Sequence, residues 1–160
     1  MRQILSRNRE AVIEQLRLVS GKVEMGLRVI WDVPNIFEDL VNTHPDLRTA
    51  RDRLVRTDRI PSHDEKIEIG RLFESILSSD RDLHAAKVEK ALASQCDAIK
   101  RNKCREEREV MNLACLVGRN DIKKFESGVF EAASLFDDNF SFDYNGPWAP
   151  HNFVEIDINL

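Results

Sequence analysis

Glycine, proline and cysteine are scarce in this 160-residue chain, which contains 6 glycines, 5 prolines and 3 cysteines. With 42% hydrophobic and 32% charged residues, this scarcity excludes a collagen-like or low-complexity chain and favours a folded domain. The chain has no apolar run long enough to cross a bilayer, and its polar start lacks the apolar centre of a signal peptide. We therefore expect a cytoplasmic protein with free thiols that does not insert into membranes.

The chain also lacks an excess of positive charge, because 24 basic and 28 acidic residues are mixed along it and leave a net charge of −4. This balance gives no electrostatic reason to expect nucleic acid or anionic lipid as a partner. One short basic stretch, residues 100–105, is followed at once by glutamates and is typical of a solvated connection.

The residue spacings that carry metal or catalytic chemistry are missing as well. Four histidines and three cysteines form no CxxC or HxxxH pair, which argues against a metal site. Ser127-Gly128 falls inside a helical pattern, without the tight turn that presents a nucleophilic serine. Acidic pairs such as Asp64-Glu65 are typical of helix ends. We expect no catalytic, cofactor-binding or metal-binding residues, and so a protein that is not an enzyme.

Hydrophobic periodicity predicts alternating helices and strands. The long helix is predicted to begin with a capping box at Ser62 and Glu65, and residues 78–80 could kink or divide it. Asn120 is the predicted N-cap of the last helix. The predicted elements are a helix at 4–19, a strand at 22–31, short helices between 36 and 55, a long helix at 64–94, an edge strand at 96–103, a central strand at 110–117, a helix from 121 and a strand at 140–145.

This order favours an α+β fold of the ferredoxin-like, split βαβ type. We expect a four-stranded antiparallel sheet with helices on one face. We predict a single domain over residues 1–160: a leading helix, a core at about 22–145, and a tail at 146–160 that packs back on the domain. Asn145-Gly146 is a turn pair and marks the predicted end of the last strand.

Two regions could carry function. Glu24 and Arg28 fall on the more polar face of the first strand, where they form either a solvated sheet face, the favoured interpretation, or a charged contact with a partner. In the tail, Trp148 and Phe153 carry large apolar area. The favoured interpretation is that they fold back and cover the domain's own sheet or helices; the alternative is a surface shared with another protein.

The chain resembles the gas vesicle protein F/L family in three motifs that occur in the same order. The first runs from Gly21 to Val29, the second from Val110 to Val117 with Phe125 after it, and the third from Gly146 to Val154. Ala149 and His151 depart from the proline and tyrosine usual in the third motif. The motif residues to which the resemblance gives a structural or partner-contact role are Glu24, Arg28, Asn112, Phe125, Gly146, Pro147, Trp148, Pro150 and Phe153.

Members of that family normally carry another α+β domain ahead of this one, so the chain resembles their C-terminal domain alone, as a natural short form or a truncation. The resemblance implies an accessory protein of gas vesicle formation, located at the vesicle or in the cytoplasm. Its implied partners are the hydrophobic shell protein and other accessory proteins. The alternative is a small-molecule-binding regulatory domain of ferredoxin-like fold, since one fold hosts many functions.

Overall fold

A four-stranded antiparallel sheet with helices packed on one face organises the protein. The computed structural model describes residues 8–56 and 60–155. The elements, in chain order, are α1 (Arg9–Val19), β1 (Lys22–Trp31), α2 (Ile36–Thr43), α3 (Pro45–Val55), α4 (His63–Leu92), β2 (Ala98–Asn102), β3 (Glu109–Gly118), α5 (Ile122–Ala133), β4 (Phe140–Trp148) and a 3-10 turn (His151–Phe153).

The strands lie in the order β2-β3-β1-β4, and every neighbouring pair is antiparallel. This is the order that two interleaved βαβ units produce, so the ferredoxin-like prediction is confirmed. β1 and β3 are central, which the apolar pattern predicted for β3, and the short polar strand β2 is at one edge. Residues 4–7 of the predicted first helix lie outside the described residues, and the helix ends at Val19 as expected.

Local sequence signals fix most of the helix boundaries. Ser62 and Glu65 form the predicted capping box: the Glu65 amide donates to Ser62 Oγ at 3.2 Å and the Ser62 amide donates to Glu65 Oε2 at 2.8 Å. Of the two alternatives for residues 78–80, a kink or a division, the division is wrong, because α4 is continuous over 30 residues. The predicted cap Asn120 is also wrong, since α5 is preceded by Asp121, whose amide is held by the Gly118 carbonyl at 2.8 Å.

The core lies between the sheet and the helices. β1 presents Val23, Met25, Leu27, Val29 and Trp31 to this face, and all are buried. The cross-strand register places β3 side chains beside them, because Leu27 pairs with Leu113 and Met25 with Cys115. The buried residues that the helices add to the same cluster are Leu77, Ala85, Val88 and Leu92 of α4 and Phe125, Val129 and Ala132 of α5.

The last strand is longer than the sequence predicted. β4 passes through Asn145 and Gly146 and ends at Trp148, so the predicted reverse turn at Asn145-Gly146 is wrong. One extra residue is accommodated on β4 between the pairs Gly26–Asn145 and Glu24–Trp148, which is a β-bulge. β4 is an edge strand, where a proline such as Pro147 costs no ladder hydrogen bond on the outer side.

No helix in the described ranges 8–56 and 60–155 is both long enough and apolar enough to cross a membrane.

Candidate interaction surface

The sheet face opposite the helices, which we call the open face, carries the polar residues of the strands. On β1 these are Glu24 and Arg28, and the register pairs Arg28 with Asn112 on β3 and with Asp143 on β4. Period-two alternation along each strand brings these side chains to the same side. The sequence predicted the polar face of β1, and the sheet order adds the contributions of the neighbouring strands.

Arg28 is held loosely at the middle of the open face. Its Nη1 lies 3.9 Å from Glu109 Oε1 and its Nη2 lies 3.8 Å from Asp143 Oδ2. The Arg28 side chain is 45% exposed, and the Asp143 side chain is 63% exposed. Both pairs are long and share a partly exposed guanidinium, so they contribute little to stability, although the Glu109 side chain is itself only 4% exposed. Arg28 therefore agrees with the prediction of a solvated residue on the polar face.

Glu24 contradicts that prediction, because it is only 4% exposed. The tail covers it: the Asn152 backbone amide donates to Glu24 Oε2 at 3.0 Å, and Asn152 Nδ2 donates to Oε1 at 2.6 Å. His151 Nδ1 lies 3.5 Å from the same carboxylate. A buried carboxylate is costly unless hydrogen bonds replace its water, and these two bonds do so. Glu24 is an anchor for the tail.

The segment from His151 to Val154, which we call the anchored segment, extends across the sheet from β1 toward β2. Lys100 Nζ on β2 donates to the Asn152 carbonyl at 2.7 Å. Leu116 and Ala114 belong to the open face, since Glu24 pairs with Leu116 and Gly26 with Ala114, yet both are buried. The prediction of a tail packed back on the domain is confirmed for the anchored segment.

Gly146 sets the path by which the tail leaves β4. Its φ of +118° lies in a region that residues with a side chain rarely adopt. A Cβ placed there would lie 2.9 Å from the Glu24 carbonyl oxygen, so β4 lies too close to β1 at this position for any larger residue. Gly146 is therefore a structural member of the motif.

Trp148 is more exposed than the favoured interpretation, a side chain that folds back over the sheet or helices, predicts. It is 57% exposed, and its Nε1 donates to Asn145 Oδ1 at 3.0 Å. Phe153 is half-buried in the anchored segment. Pro147 is exposed and Pro150 is half-buried. The tail thus divides into a presented segment, Pro147–Pro150, and the anchored segment.

Asn112 and Phe125 have roles in the fold. Asn112 Oδ1 accepts a hydrogen bond from Asn102 Nδ2 at 3.4 Å, which connects β3 to the edge strand. Phe125 is fully buried, and its ring meets Tyr144 edge-on with centroids 6.3 Å apart.

Asn152 and Lys100 were missed by sequence reasoning. Asn152 stood inside the tail motif, but nothing in the local pattern connects it to Glu24, 128 positions earlier in the chain.

The cysteines do not form a site on the open face. Cys115 donates a hydrogen bond to Cys96, which lowers the pKa of Cys96, while the same bond and burial raise the pKa of Cys115. Burial raises the pKa of Cys104. Over residues 8–56 and 60–155, no three His, Cys, Asp or Glu side chains come together as they would around a metal ion.

Comparison with known proteins identifies related chains. The family model described as gas vesicle synthesis protein GvpL/GvpF matches residues 1–155. Gas vesicle protein F of Nostoc sp. is 25% identical over 154 residues, with 96% of this chain and 62% of that protein covered. Gas vesicle protein F of Dolichospermum flosaquae is 23% identical over 157 residues, with 98% of this chain and 63% of that protein covered.

Solved structures show the same fold. The crystal structure of GvpF from Anabaena sp. matches with a TM-score of 0.83 at 24% identity, covering 97% of this chain and 63% of that one. The crystal structure of GvpF from Microcystis aeruginosa matches with a TM-score of 0.77 at 19% identity, covering 96% and 63%. The chain therefore spans a little under two thirds of the length of these relatives.

Proposed function

The chain belongs to the GvpL/GvpF family of gas vesicle synthesis proteins, and from this membership we propose that it acts in gas vesicle formation. The observation that carries the proposal is the match of the family model over residues 1–155. The protein acts as an accessory factor, either as a minor component of the shell or as an assembly factor in the cytoplasm. It works by contact with the hydrophobic shell protein and with other accessory proteins.

A physical need for such contacts follows from the nature of the vesicle. A shell subunit that turns apolar surface toward gas exposes that surface to water before assembly and is prone to aggregate. A folded protein that covers the exposed surface for a time keeps the subunit available for assembly. The exposed Trp148 beside two prolines is the kind of rigid apolar group that supports this role.

The polar groups of the open face support a role without catalysis. Glu24 is fully engaged by Asn152, and Arg28 lies between two carboxylates, Glu109 and Asp143. A general acid or base needs a partly free group within reach of a substrate, and Glu24 is covered by the tail. Glu24 holds the tail, and Arg28 is a loosely paired residue of the sheet face.

Co-expression with the shell protein from the same gene cluster, followed by pull-down through a tag on this chain, tests the proposal. We expect the shell protein or another vesicle protein to be retained at moderate salt, because the contact is mainly apolar. An unrelated ferredoxin-like domain with the same tag is the control. Retention of no vesicle protein by the native chain would contradict the proposed function.

A further inference from the structure

A groove lies between α1 and the presented segment of the tail, and we call it the α1–tail groove. Leu16 and Val19 line it from the helix, and Pro147, Trp148 and Pro150 line it from the tail. Val23 and Ile122 complete its apolar lining. The groove therefore brings together the first and third sequence motifs, which are more than 100 positions apart in the chain.

Two large apolar side chains of this groove, one from α1 and one from the tail, are exposed to solvent. Leu16 is 61% exposed and Trp148 is 57% exposed, and none of the residues of α1 is buried. Large apolar side chains exposed side by side, with polar residues around them, are typical of protein contact sites. Trp148 is also held in place through its bond to Asn145, so little side-chain freedom remains to be lost on binding.

The charged residues that line the α1–tail groove have one sign. They are Lys22 and Arg119, and among residues 8–56 and 60–155 no carboxylate lines the groove with them. Lys22 pairs with Asp97 at 3.2 Å, but the two side chains are 29% and 53% exposed, so a competing carboxylate could replace that weak pair. Arg119 is exposed and makes no ion pair with any residue in the described part of the chain.

We propose that the α1–tail groove binds a short apolar segment of a partner protein that carries an acidic side chain next to its apolar residues. The apolar part packs on Leu16 and Trp148, and the carboxylate pairs with Arg119, whose guanidinium offers several donors. Charge complementarity of this kind favours one orientation of the bound segment and disfavours basic segments. That the partner is a vesicle protein rests on the proposed function, whereas the chemistry of the segment rests on the groove.

An array of overlapping synthetic peptides from all proteins of the vesicle gene cluster tests the proposal. We expect the captured peptides to combine apolar residues with Asp or Glu. Titration of the strongest peptide, labelled with a fluorophore and followed by its anisotropy, should give a dissociation constant that Trp148→Ala or Arg119→Glu weakens at least about tenfold. Replacing the acidic residue of that peptide by lysine should weaken binding to the native chain and restore binding to the Arg119→Glu variant.

Two matched variants serve as controls. Phe130→Ala removes an aromatic side chain that is 68% exposed outside the groove, and Arg71→Glu reverses an exposed charge on α4. Both should bind the peptide as the native chain does, and thermal unfolding checks that all four variants are folded. Binding that is indifferent to Trp148 and Arg119, capture of basic peptides, or capture of none would overturn the proposal.

Two further outcomes separate the groove from the proposed function. If the Trp148→Ala and Arg119→Glu variants still retain vesicle proteins in the pull-down, the groove assignment is wrong while the proposed function stands. If light scattering shows that the native chain forms a dimer that Trp148→Ala dissociates, a second copy occupies the groove, and the proposal of a partner segment is overturned.

Discussion

The two faces of the sheet are sealed in different ways. The helix-covered face is closed by side chains of α4 and α5, and its central residues, such as Leu27 and Leu113, are almost fully buried. The open face is covered in part where the anchored segment crosses it, through polar bonds from Asn152 to Glu24. Beyond that crossing, Arg28 and Trp148 remain accessible.

This difference indicates that one face determines the stability of the fold and the other determines the position of the tail. Apolar burial over a whole layer supplies most of the folding free energy, whereas one hydrogen-bonded anchor determines where a tail lies. The anchor holds the presented segment at the end of β4 and beside α1. Changes on the helix-covered face should therefore affect stability most, and changes in the presented segment should affect binding with little effect on stability.

The largest loss of stability is expected from Phe125→Ala on the helix-covered face. Phe125 is a residue of α5 and is fully buried. Removing its ring leaves a cavity beside Tyr144. We expect the free energy of unfolding to fall by about 3–5 kcal/mol. Urea denaturation followed by circular dichroism measures this fall. A loss below about 1 kcal/mol would show that α5 contributes far less to the core than its burial indicates.

A smaller loss is expected from Glu24→Ala at the anchor. The change leaves the Asn152 amide and side chain without acceptors, and we expect a loss of about 1–3 kcal/mol. Limited proteolysis should also cut the tail sooner than in the native chain. Asn152→Ala should weaken the same contact, and the double variant should lose less than the sum of the two single variants. Additive losses would contradict a direct Glu24–Asn152 contact.

A pH-dependent change is expected from His84, which packs among aromatic rings on the helix-covered face. Its ring lies 4.9 Å from that of Phe140 and 6.3 Å from that of Trp31. Burial lowers the pKa of His84 below 6.5; Lys87 lowers it further, and Asp80 and Asp137 oppose the shift. Between the lowered pKa and 6.5 the unfolded chain binds more protons, so stability should fall as pH falls through this range.

Proton NMR titration of the imidazole signals measures this shift directly, with His84→Gln used to assign the signal. A midpoint for His84 at or above 6.5 would contradict the account of its buried environment.

The smallest effect on stability is expected from Trp148→Ala in the presented segment. With its side chain 57% exposed, we expect the free energy of unfolding to change by less than about 0.5 kcal/mol. Thermal unfolding compares the native chain with Trp148→Ala and with Phe130→Ala, which removes another exposed aromatic side chain. A loss of about 2 kcal/mol or more, close to the loss on truncating a buried aromatic side chain, would show that Trp148 is a packing residue.

The sequence was sufficient to predict the fold because alternation identifies β1 and β3 as strands, and the two largely apolar faces of β3 place that strand centrally. Val23 to Trp31 could not form a helix with that period, and the apolar stripe of α5 requires a core to cover. The Ser62–Glu65 capping box could be predicted because its two residues are three positions apart, close enough for each side chain to bond the other residue's amide.

Only part of the candidate interaction surface could be predicted from the sequence. Glu24 was placed on the correct strand face, but its burial depends on Asn152, a residue brought to it by the path of the tail. Asn145-Gly146 predicted a reverse turn because that pair usually makes one; here pairing with β1 extends the strand and a bulge takes up the extra residue. The exposure of Trp148 follows from that extension, so local preference alone could not predict it.

Vesicle yield in a host that carries the complete vesicle gene set tests the central claim most directly. We compare cells with the gene set intact, without this gene, and without it but supplied with the native chain or with Trp148→Ala. Pressure-sensitive light scattering counts the vesicles. The account predicts few or no vesicles without the gene, recovery with the native chain and poor recovery with Trp148→Ala. An unchanged yield without the gene would contradict a role in gas vesicle formation.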